Sequence, residues 1–92
     1  MTKISQLGND IFQVVVVGDT TTCHEVIVTD KVLLELTNNL VSKKDLLDFS
    51  FNFLLRKEPN TSIMTSFEIS IIGQFFTEYK NEVRSWCHVI YK

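Results

Sequence analysis

Residues 42–59 read SKKDLLDFSFNFLLRKEP, and this stretch decides the fold. Ser42 followed three residues later by Asp45 matches a capping box, in which each side chain satisfies a free backbone N–H at a helix start. Pro59 closes the stretch, because proline cannot continue a helix and biases Glu58 away from the α region. Between them Leu46, Phe49, Phe53 and Leu54 fall on one stripe at i, i+3, i+7 and i+8, and Leu47, Phe51 and Leu55 add a second. A helix apolar around most of its circumference belongs in the middle of a domain, with other elements on more than one side. The spacing predicts this central helix over 43–57.

Around it the chain is short. Its 92 residues suffice for one small domain. Hydrophobic residues make up 45% and charged residues 22%, the balance of an ordinary globular protein. One Pro and three Gly leave little room for disordered linkers. The formal charge is -2, and basic residues adjoin only at Lys43-Lys44 and Arg56-Lys57, so the concentrated basic face that nucleic-acid affinity requires is missing. Nothing near the start reads as a signal peptide, and no apolar run approaches the ~20 residues of a membrane span. The expectation is a cytoplasmic protein that does not enter a membrane. Two cysteines, Cys23 and Cys87, are too few for a disulfide scaffold and in that compartment are reduced thiols.

Upstream of the central helix, residues 1–10 are polar and aperiodic and read as a flexible N-terminus. IFQVVVV at 11–17 and TTCHEVIVT at 21–29 are β-branched runs flanking Gly18-Asp19-Thr20, hence two strands of an antiparallel hairpin. Gln13 and Glu25 mark the wet face, which sets Phe12, Val14, Val16, Val26 and Val28 toward the core and leaves Val15, Val17 and Ile27 on the outer face. Thr29 or Asp30 caps a short helix over 31–37, ended by Asn38-Asn39. Downstream, Thr65 and Glu68 repeat the capping-box pattern. Phe67, Ile71, Ile72, Phe75 and Phe76 then predict a helix over 66–76, with Gly73 at a close crossing. Tyr79, Val83, Trp86 and Ile90 predict a last helix over 78–89. The fold class is α+β: an N-terminal antiparallel β-hairpin packed on about four short helices, with residues 11–92 a single domain.

Candidate chemistry is sparse. Cys23-His24 and Cys87-His88 are the one repeated reactive pair, but neighbours on a strand point to opposite faces and neighbours on a helix diverge by about 100°. Zinc ligands are usually two to four residues apart, so no metal site is assigned. A Cys–His nucleophilic pair lacks an orienting third group, and there is no phosphate loop or G-x-S-x-G. No catalytic residue and no cofactor are assigned. A helix-turn-helix would need a tighter turn than the Pro-containing run from Glu58 to Thr65. Two places remain. The outer apolar residues Val15, Val17 and Ile27 suggest an interface. The polar run 56–62 offers Arg56, Glu58, Asn60 and Ser62 as a binding loop, or as a plain turn whose basic residues complement the helix dipole.

LLRKEPNTSIMTSFEISIIGQFFTEY, residues 54–79, resembles a small uncharacterised bacterial family with a run of Arg, Glu-Pro-Asn, Ser-Ile, Ser-Phe and a closing aromatic-x-Glu-Tyr. The resemblance spans most of the chain and implies the same layout and a bacterial origin, with no activity attached. Thr77 stands where the family pattern has Pro. The function expected from these readings is a non-enzymatic protein–protein interaction module that binds a protein partner or itself as a homodimer. A DNA-contacting, antitoxin-like regulator acting with a partner is the alternative.

Overall fold

Strand pairing begins from the two valine-rich runs. In the computed structural model, which describes residues 1–91 and the side chains of residues 1–89, β2 (Ile11–Val16) and β3 (Thr22–Ile27) pair antiparallel with Phe12 opposite Val26 and Val14 opposite His24. Phe12, Val14, Val16, Val26 and Val28 are all buried, as the position of Gln13 and Glu25 implies.

The hairpin is not a two-stranded unit. Thr2–Gln6 forms β1, antiparallel to β2, so the N-terminal residues expected to be flexible belong to the domain. Its TKISQ sequence carries a single apolar residue, Ile4, yet β2 presents an unpaired row of N–H and C=O groups that a neighbouring strand satisfies. Backbone bonds between Met1 and Val17 close one end of that ladder. On the other side Ser66–Glu68 forms β4, parallel to β3, giving a mixed sheet in the order β1-β2-β3-β4.

Four helices follow the sheet's inner face: α1 (Asp30–Thr37), α2 (Lys43–Lys57), α3 (Ile72–Phe75) and α4 (Tyr79–Tyr91). Thr29 caps α1 by accepting from the Val32 N–H, and Asn38 and Asn39 end it in left-handed conformations, φ 54° and 60°. Ser42 caps α2 by accepting from the Asp45 N–H. Lys43 at the head of α2 donates to Asn9 O, Asp10 and Asp30, tying the β1–β2 turn to the starts of both helices. Those hydrogen bonds, with Asp10 the larger effect, hold its ammonium above the usual lysine range.

The α2 helix is the centre of the core. Leu46, Leu47, Phe51 and Phe53 are fully buried and Leu54 nearly so, while Phe49 is half-buried and stacked on Trp86 with ring centroids 4.5 Å apart. Ser50, in the middle of this apolar helix, is also fully buried. Its hydroxyl donates to Leu46 O at 2.6 Å, so its oxygen accepts from the Tyr79 hydroxyl, also at 2.6 Å. Burial pushes the Tyr79 phenol well above its ordinary range, and the Glu68 charge acts in the same direction. Tyr79 and Val83 line the buried side of α4, with Trp86 half-buried. Ile90, the fourth residue of that predicted stripe, lies outside the described side chains.

The helix predicted over 66–76 is the main correction. Ser66–Glu68 is extended, Ile69–Ile71 is a 3₁₀ turn, and only Ile72–Phe75 is α-helical. The edge of β3 captures the first residues: Glu25 N–H donates to Thr65 O, and Phe67 packs inward beside Phe51. The side chain that starts the helical turn is therefore Glu68, which accepts from the Ser70 N–H, rather than Thr65. A Cβ at Gly73 would meet the Lys80 side chain at 3.4 Å, so the chain does run close to α4 there.

Candidate binding site

The run 56–62 divides its polar residues among three tasks. At its start, Arg56 pairs with Glu82 and Lys57 with Glu78 across to the head of α4, and both cations lie over the Phe53 ring. The hydrogen bond from Lys57 lowers the Glu78 carboxyl. Glu58 ends α2 in an extended conformation, as the following Pro59 dictates. A 3₁₀ turn, Asn60–Ser62, carries the chain toward β4. Asn60 Nδ2 donates to Thr20 O at 2.7 Å and Thr22 Oγ1 at 3.1 Å, pinning that turn to the β2–β3 connection.

His24 makes the second clamp. It sits on the inward row of β3, 1% exposed, against the Phe51 ring. Nδ1 lies 2.7 Å from Met64 O, and since a carbonyl only accepts, Nδ1 carries the proton. Nε2 lies 2.8 Å from Thr22 Oγ1, so both ring nitrogens are occupied. Sequence reasoning places His24 on the same row as Val26 and Val28 but assigns it no task. That shared row was the available signal.

These clamps hold the wall of a cavity of about 160 Å³. Leu54 of α2, Ile63, Phe67 of β4, and Ile71, Ile72 and Phe76 around α3 line it; Met64 and Phe75 stand at its rim, 43% and 66% exposed. Phe76 is held edge-on against Phe53 and Phe67 against Phe51, so the aromatic walls are braced from behind. The polar side chains in the lining are those of Glu58 and Ser62. Of the predicted loop residues, the structure thus brings Glu58 and Ser62 to one site and turns Arg56 and Asn60 to structural partners.

The outer-face residues are differently placed. Val15 is half-buried between Lys3 and Cys23, and Ile27 pairs with Ile11 four rungs along the ladder, about 13 Å away. Val17 is exposed beyond the end of β2. β1 covers the β2 edge from Phe12 to Val16, and β4 covers the β3 edge at Glu25–Ile27.

Cys23 is exposed and accepts a hydrogen bond from Gln13, whereas His24 beside it is buried; Cys87 is buried and His88 exposed. Burial raises the Cys87 thiol above its usual range. Among the described residues, no group of three His, Cys, Asp or Glu is placed to hold a metal ion, and no helix is long and apolar enough to cross a membrane. The cavity lining contains no Cys, His, Lys or Asp, and eight of its ten residues are apolar. No family model, curated protein or solved structure matches the chain.

Proposed function

We propose that the chain is a non-enzymatic protein–protein interaction module that grips its partner at the cavity between α2, β4 and α3. The observation that carries this reading is Phe75, two-thirds exposed at the rim of a braced apolar cavity. An aromatic ring held open to water beside such a cavity stabilises a bound state rather than the free fold. The lining is apolar at eight of its ten residues, which favours binding by contact over catalysis. The resemblance of residues 54–79 to a bacterial family covers the cavity walls and supports a bacterial setting for this role. DNA contact is less well supported, because Lys43, Arg56 and Lys57 are already held by acids. The deciding experiment is affinity capture from the native cell with the wild-type chain and with Phe75→Asp. A protein retained by the wild type and lost by a folded Phe75→Asp supports the reading. Equal retention by both refutes it.

A further inference from the structure

We infer, resting on the interaction reading above, that the cavity accepts one benzene-sized or branched aliphatic side chain from a segment of a partner protein, and that Glu58 receives a Lys or Arg of the same segment. Size sets the first half. At about 160 Å³ the cavity matches one such side chain, since an apolar cavity of about 150 Å³ holds benzene. Met64 and Phe75 in its lining are 43% and 66% exposed, apolar surface that a peptide segment seated in the cavity would cover.

Charge sets the second half. Glu58 is an acid at the C-terminal end of α2, where the helix dipole favours cations. It is in no ion pair among the described residues, although Arg56 and Lys57 precede it directly, because those two are turned to Glu82 and Glu78. A carboxylate set against the dipole, half-buried at a cavity and left without a cation breaks a local rule with no structural return, and such breaks collect at functional sites. An incoming ammonium or guanidinium supplies the missing partner.

Three probes sharing one ring test this: phenethylamine, benzyl alcohol and phenylacetate. Each is titrated into the ¹⁵N-labelled full chain at low salt while the amides of Met64, Ile71 and Phe75 are followed. All three rings should shift those amides. Phenethylamine should bind about three- to five-fold tighter than benzyl alcohol, the effect of one partly exposed ion pair, with phenylacetate weakest. In Glu58→Gln that order should collapse to equal affinities while ring binding persists. Equal affinities in the wild type overturn the charge assignment and leave the cavity reading standing. No shift at the cavity with any probe overturns the cavity reading itself. Sedimentation from 10 to 200 µM covers the remaining occupant: a dimer abolished by Phe75→Asp would put a second copy in the cavity and overturn the assignment to a different protein.

Discussion

The Ser50–Tyr79 pair should show strong energetic coupling. Both side chains are fully buried, and the two hydrogen bonds that run from Tyr79 through Ser50 to Leu46 O are each 2.6 Å long. Ser50→Ala leaves the Tyr79 hydroxyl in the core without an acceptor, which costs about 1–3 kcal/mol. Tyr79→Phe leaves Ser50 with its bond to Leu46 O and should cost about 1 kcal/mol. The double variant strands neither group and should cost no more than the larger single one, a coupling of about 1–2 kcal/mol. Urea unfolding followed by Trp86 fluorescence reads this out, and with a slope of about 1 kcal/mol per M the Ser50→Ala midpoint should fall by about 1–3 M. Because the folded-state phenol is raised above its ordinary 10.0, the unfolded chain loses the proton first as pH rises. Wild-type stability should therefore be intact below pH 10 and fall above it, by up to about 1.4 kcal/mol per pH unit, a component missing from Tyr79→Phe. Additive single costs, agreeing with the double variant within about 0.5 kcal/mol, would refute the buried relay.

Three further outcomes are expected. Phe53→Ala, at a fully buried site touching Phe76 and Tyr79, should lower the unfolding free energy by about 3–5 kcal/mol in the same assay; a loss below about 1 kcal/mol would contradict the central position of α2. A chromogenic disulfide at neutral pH should label Cys23 quickly and Cys87 only on unfolding, because Cys87 is both buried and raised above its usual range; two fast thiols in the native chain would be inconsistent with this packing. Chelator should leave the melting temperature unchanged, with elemental analysis finding no stoichiometric zinc, since Cys23 and His24 lie on opposite faces of β3.

Much of the core was legible because independent signals agreed. At 42–59 the cap, the stop and the apolar stripes specify the same helix, and α2 occupies the residues they indicate. Period-two alternation likewise placed Phe12, Val14, Val16, Val26 and Val28 inward. The errors fall where tertiary pairing outweighs local pattern. TKISQ carries almost no periodic signal and is a strand only because β2 needs a neighbour. Phe67 satisfies both a helical and an alternating pattern, and the open edge of β3 decided between them. The cavity was half-legible: Glu58 and Ser62 stood out as polar residues between apolar helices, but its walls come from separate segments that no local spacing connects. The tasks of Ser50 and His24 were not legible, because a polar residue on an apolar row reads as an interruption until its partner is known.

The parallel pairing of β3 with β4 also bears on when the site exists. His24 and Met64 are 40 positions apart, and β4 is three residues long, whereas β1, β2 and β3 are joined by short turns. The three-stranded meander closes cheaply in chain entropy; β4 must wait for the intervening helices to settle before it can dock. Phe67 in the cavity wall arrives with that strand and Met64 at the rim just ahead of it, so binding competence is among the last things the folding chain acquires. The same strand is the first candidate for local opening. Its amides should exchange with solvent faster than those of β2, and a partner seated in the cavity should slow them selectively.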